Sequence, residues 1–134
     1  PNVSVFPTEP EGDPLQEWLN SSALIRDILP DDLLVLPAHE APFHGLHVRL
    51  SQLIESHNQD LRSLFTYLDS PKRAVDCFPA LFNREIDADS LGMATGETMA
   101  HLNCLLGRRR ITRERDEQGV HWYRQITETA EADD

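Results

Sequence analysis

The sequence predicts a mainly α-helical protein: a three-helix domain closed by a C-terminal β-hairpin, preceded by a helix–strand unit of a different kind. Three observations predict this. Apolar residues recur at three- and four-residue steps from Leu46 to Leu68 and again from Leu91 to Leu105, the period of helices that bury one stripe. From Arg110 the pattern changes to alternation, and a β-forming run follows beyond a turn-rich tetrapeptide. Ahead of both, Leu33-Leu34-Val35-Leu36 is a short, fully apolar run that stops at Pro37, as a buried strand does.

In chain order, residues 1–13 carry Pro1, Pro7, Pro10 and Gly12 and should be extended and irregular. Asp13-Pro14 is a helix start, an N-cap acid with proline at the first helical position. Leu15, Trp18, Leu19, Ala23, Leu24 and Ile28 carry that helix as far as Leu29. Pro30-Asp31-Asp32 ends it, and the strand Leu33–Leu36 follows. The long helix from Leu46 has one continuous stripe: Leu46, Leu50, Leu53, Ile54, His57, Leu61, Leu64, Phe65 and Leu68. Ser70-Pro71 stops it and opens a shorter helix through Ala74, Val75, Cys77 and Phe78, which Pro79 breaks or bends. Asp87-Ala88-Asp89 supplies the N-cap of a third helix, ending at Gly107. Arg110–Arg115 and Val120–Ile126 then pair as a hairpin around Asp116-Glu117-Gln118-Gly119. Three helices and a hairpin are the plan of a winged helix. The expected units are residues 1–45, residues 46–126, and an acidic disordered tail over 127–134.

The formal net charge of −11 is concentrated at the ends. Residues 1–45 hold eight acidic groups against Arg26 alone, while residues 46–124 hold eleven of each sign. Such a balance opposes nonspecific binding to nucleic acid or anionic membranes. No apolar run approaches the roughly 20 residues that span a bilayer. Cys77 and Cys104 lie in apolar helical patterns, and two core thiols of a reducing, cytoplasmic protein are the expectation rather than a disulfide.

Loops at the rim of a sheet carry chemistry on a rigid scaffold, and His39 stands on such a loop: Leu36-Pro37-Ala38-His39-Glu40-Ala41-Pro42. This text resembles the last metal-ligand loop of the metallo-β-lactamase-fold hydrolases, where a strand ends in Leu-Pro-Gly-His-Gly or a close variant. The resemblance runs over roughly residues 1 to 125. Pro1–Pro7 and Gly12-Asp13-Pro14-Leu15 resemble the segment after that family's bridging aspartate. Gly45–Leu50 and Gly96-Glu97-Thr98-Met99-Ala100-His101-Leu102 resemble helix signatures of a branch with a C-terminal helical domain. The resemblance implies that residues 1–45 are the last helix–strand unit of an αββα sandwich and that residues 46–126 form a winged-helix-like C-terminal domain. The family's His-x-His-x-Asp-His motif, its next histidine and its bridging aspartate would lie upstream of Pro1, on an N-terminal catalytic domain of the same polypeptide. The parent would then be a zinc- or iron-dependent hydrolase of a small-molecule ester, thioester, lactone or phosphodiester. This chain alone should be inactive and hold no metal tightly. Ala38 and Glu40 replace common glycines of the family loop, which Ala38 tolerates where φ is negative.

By the same resemblance His39 would ligate one metal, as a neutral imidazole. Glu40, His44, His47, Glu97 and His101 are candidates for substrate access. His44 and His47 lie across a loop into a helix start, where substrate contact or helix capping fits better than ligation. His57 lies on the apolar stripe and reads as a satisfied core or interface histidine. Glu97 and His101, four apart, share a helix face and should bond to each other, pinning their helix to the long one. The basic cluster Arg108, Arg109, Arg110, Arg113 and Arg115 sits where a winged helix meets its first wing strand. As an independent nucleic-acid module, residues 46–126 would use these arginines on phosphates. The expected recognition helix opposes this, since Ser90, Thr95, Glu97 and Asn103 on its open face carry no positive charge. A solvated edge, or an interface with the acidic segment 1–45, is preferred. The resemblance leaves a dimer contact as a further use of this domain.

Overall fold

The computed structural model describes residues 2–127; residues 128–134, which include most of the expected disordered tail, lie outside them. The elements are α1 (Pro14–Ile28), α2 (Leu46–Tyr67), a 3-10 turn (Ala74–Cys77), α3 (Phe78–Leu81), α4 (Leu91–Gly107), β1 (Ile111–Arg115) and β2 (His121–Gln125). No described helix is long and apolar enough to cross a membrane.

Local chemistry sets the ends of these elements. The Asp13 carboxylate accepts from the Gln16 amide (3.2 Å) and Pro14 opens α1, so one otherwise orphaned N–H is satisfied. Helix α2 begins after Gly45, whose φ of 92° lies in the left-handed region. The Asp31 carboxylate accepts from the His47 amide at 2.8 Å and so caps α2 from outside it. Helix α4 ends through Arg109, at φ 56°, and not through Gly107, which is its last helical residue. Gly107 answers a different need: a Cβ there would stand 3.0 Å from the Asp13 carboxylate.

Helix α4 is the centre of the molecule. All six residues from Ala100 to Leu105 are buried, so this stretch is enclosed on every side. Leu15 and Leu19 of α1, Leu61 and Leu64 of α2, Leu68, and Ile111 and Tyr123 of the hairpin join it in one core. Each fully buried leucine stabilises the fold by about 1.5–3 kcal/mol relative to exposure. The segment before α1 is a strap across α4. The Val5 amide donates to the Gly96 carbonyl (3.0 Å). The Asn103 amide nitrogen donates to the carbonyls of Pro10 and Gly12 (2.9 and 2.8 Å). Asn103, expected on an open face, is therefore buried.

The hairpin pairs Arg113 with Tyr123 and Arg115 with His121. Its loop is organised by the Asp116 carboxylate, which accepts from the amides of Gln118 and Val120 and from the Trp122 indole, each at 2.9 Å.

Two expected elements differ. Leu33–Leu36 does not form a buried strand: Leu33, Leu34 and Leu36 are 40, 56 and 75% exposed, and only Val35 pairs, with Phe43. A strand exists only where neighbouring backbone satisfies its N–H and C=O groups, and among the described residues Phe43 alone does so here. The helix expected from Pro71 is reduced to a 3-10 turn and the single turn α3, with Pro79 inside the first turn rather than breaking it. Lys72 is drawn instead into the hairpin ladder, exchanging both backbone bonds with Tyr123 (2.9 and 2.8 Å).

Candidate functional site

His39 lies exposed at the tip of the 36–42 loop. The Val35–Phe43 bridge closes the base of that loop, with backbone bonds of 2.8 and 3.1 Å. Glu40 has φ 72°, the conformation that favours glycine, and Ala38 does not. Position 40 thus has a backbone reason for glycine and position 38 has none. Glu40 and His44 are exposed. The His47 ring Nε2–H donates to the Leu29 carbonyl (2.7 Å), tying the end of α1 to the start of α2.

A second group of side chains comes together elsewhere. His57 and Asp60 share one face of α2, and His101 faces them from α4. One ligand atom from each lies within 4.8 Å of the other two, the one such trio among the described residues. His57 and His101 are 7 and 4% exposed, and their rings lie 5.6 Å apart. The Trp18 indole meets His57 edge-on at 5.0 Å. The expected Glu97–His101 side-chain pair does not form. His101 Nδ1 lies 2.8 Å from the Glu97 backbone carbonyl instead, and a carbonyl only accepts, so Nδ1 carries the proton. His101 Nε2 then faces Asp60 Oδ2 across 4.0 Å. Both His101 Nε2 and His57 Nδ1 are buried without a hydrogen-bond partner. His57 is therefore buried as expected, but its Nδ1 is not satisfied.

Electrostatics follow from this burial. Desolvation, reinforced by the neighbouring His101, holds His57 down to about 4, so its ring is neutral at pH 7. Burial raises the Asp60 and Glu97 carboxyls, and His101 opposes the rise at both. Sequence reasoning recorded Glu97 and His101 but missed Asp60 and misread His57. The signal was present as two helical pairs, His57 with Asp60 and Glu97 with His101, but only the packing of α2 on α4 joins them.

The basic cluster is spread over several contacts. Arg113 reaches the Glu11 carboxylate (3.2 Å) and Arg108 donates to the Gln16 side chain (2.8 Å), both within the acidic segment 1–45. Arg110 stacks over Phe65 at 4.7 Å and, with Arg108 and Arg62, lines an open groove. Arg109 closes α4 and is exposed. Cys77 and Cys104 are buried free thiols, each pushed up to about 11 by burial.

Comparison with known proteins places this architecture. Residues 61–126 match the family described as metallo-beta-lactamase-like, C-terminal domain. The crystal structure of a beta-lactamase domain protein from Burkholderia ambifaria matches with a TM-score of 0.87 and 36% identity, over 93% of this chain and 37% of that one. A metallo-beta-lactamase family protein from Thermus thermophilus matches with a TM-score of 0.77 and 26% identity, over 94% of this chain and 38% of that one. No curated protein matches the sequence. Over nearly its whole length the chain is thus similar to metallo-β-lactamase-family proteins, and over residues 61–126 to that family's C-terminal domain. It spans little more than a third of the length of the solved structures it matches.

Proposed function

We propose that this chain serves as the C-terminal part of a metal-dependent hydrolase of the metallo-β-lactamase fold. In this reading His39 supplies one imidazole to a metal site, zinc or iron, whose other ligands lie on an N-terminal domain of the same polypeptide. The observation that carries it is the exposure of large apolar side chains on α1 and in the segment leading into the His39 loop. Leu24, Ile28, Leu34 and Leu36 are 58, 65, 56 and 75% exposed, and the backbone of 33–36 is largely unpaired. Large apolar side chains left open to this extent fit a surface that another body covers. A sheet edge and helix preceding residue 1 would pair the strand and bury that face.

The residues present fit such a group as one contributor. No hydrogen bond among the described residues holds the His39 ring, but a catalytic metal takes about three protein ligands and this loop offers one. When bound, the metal would supply Lewis acidity and lower the pKa of a water. The chain's own part is positional. The Val35–Phe43 bridge fixes the loop, the His47–Leu29 and Asp31–His47 bonds hold its return into α2, and Glu40 and His44 flank the ligand. Residues 46–126 act as an accessory, winged-helix-like domain that limits substrate access or makes a dimer contact. The bond cleaved is an ester, thioester, lactone or phosphodiester. The chain alone is inactive.

The test is the reading frame upstream of residue 1. It should encode a His-x-His-x-Asp-His motif, and a frame without one ends the proposal. In that longer protein His39→Ala should lower metal affinity and turnover by more than about 10-fold. The alternative, an independent nucleic-acid module in residues 46–126, has less support, because the strap covers α4 and two of the arginines face Glu11 and Gln16. Tight duplex binding with a steep salt dependence would reverse that ranking.

A further inference from the structure

We propose that His57, Asp60 and His101 form a divalent-cation site that clamps α2 to α4 and is complete within this chain. The direction of one hydrogen bond orients the site. Because His101 Nδ1–H donates to the Glu97 carbonyl at 2.8 Å, the neutral ring presents its Nε2 lone pair to the opposite side. What it meets there is the Asp60 carboxylate, 4.0 Å away, another acceptor. Two acceptors facing one another repel unless something positive sits between them. A proton on Nε2 would draw the pair together to about 2.7–2.9 Å, the length of a charge-assisted bond, and the observed gap exceeds that.

A cation held between the two rings would partner both open imidazole nitrogens. His57 Nδ1 and His101 Nε2 are the two buried histidine nitrogens without partners, and a histidine that ligates through one nitrogen while the other donates to a backbone carbonyl is the usual oriented metal ligand. Ligands on a tetrahedral zinc with bonds near 2.0–2.1 Å stand about 3.3 Å apart. The trio, within 4.8 Å, is more open than that, so ion binding draws the three side chains together, and Asp60, 41% exposed, has room to move toward the histidines. Two imidazoles and one carboxylate select a borderline transition-metal ion such as Zn2+, Co2+ or Fe2+ over Mg2+ or Ca2+, which take oxygen ligands. Three protein ligands leave a coordination position for water or a carboxylate-bearing ligand. His39 contributes no atom to this trio, so the clamp stands independently of the role proposed for His39.

The experiment uses the 134-residue chain stripped with a chelator and titrated with Co2+, then with Zn2+ as competitor. One Co2+ per chain should bind with visible absorption bands of a nitrogen–oxygen site, Mg2+ in excess should not displace it, and Zn2+ should raise the melting temperature. Asp60→Asn, isosteric and at the surface, should retain the helical circular dichroism and lose affinity by at least about 10-fold. His101→Ala should abolish binding but risks the fold, so Asp60→Asn carries the decision. His39→Ala should bind as the parent chain does. Absence of Co2+ and Zn2+ binding by the folded chain overturns the proposal, as does unchanged affinity in Asp60→Asn or loss of binding in His39→Ala.

Discussion

Asn103 ties the first residues of the chain to its central helix through one nitrogen that donates twice, to Pro10 and Gly12. Asn103→Ala leaves two carbonyls without their donor and should destabilise the protein by about 1–3 kcal/mol, read by urea unfolding. Asn103→Asp should cost more, since it turns a carboxylate toward those carbonyls. The thiols give a pH prediction. Cys77 and Cys104 titrate near 9 when unfolded and near 11 when folded, so the unfolded chain releases their protons first. The contribution of the two thiols is therefore full below about pH 9 and is lost as pH rises toward about 11. The Cys77→Ala, Cys104→Ala double variant should flatten that fall in urea midpoints, and an unchanged slope would refute the assignment. At this scale the sequence was only partly legible. Asp13 and Pro14 announced their cap outright, because capping is a local matter. Asn103 read as surface polar because its partners lie some ninety positions away.

Among elements, the 36–42 loop carries a backbone cost. Glu40 sits at φ 72°, where a side chain costs about 1–2 kcal/mol. Glu40→Gly should raise stability by up to about 1 kcal/mol, less the entropy that glycine adds to the unfolded chain, and leave the spectrum unchanged. A loss of stability would show that the Glu40 side chain holds the loop. Helices α1, α2 and α4 were legible because a long apolar period is a strong local signal. The strand at 33–36 was not, since hydrophobicity names a buried segment without supplying the partner that makes it a strand. The helix expected at 71–78 yielded to Lys72, whose two bonds to Tyr123 are invisible in a local pattern.

For the whole molecule, the strap and α4 act as one unit. A Cβ at Gly96 would stand 3.2 Å from the Ser4 Cβ, so Gly96→Leu should lift residues 2–6 off the helix. The expected signature is faster proteolysis within residues 2–12 and a loss of about 1–3 kcal/mol. Leu102→Ala, at a fully buried position, should cost about 2–5 kcal/mol through the cavity it leaves. The division into helical body, hairpin and leading segment could be read from composition and period; the union of the leading segment with α4 could not, because it joins positions far apart in the chain. That union also orders events at the ribosome. Residues 2–12 emerge before the surface they lie on, from Gly96 to Asn103, which is made roughly ninety residues later. At about 5–20 residues per second the strap waits several seconds without its docking face. Until α4 leaves the exit tunnel, the strap is open to chaperones and proteases.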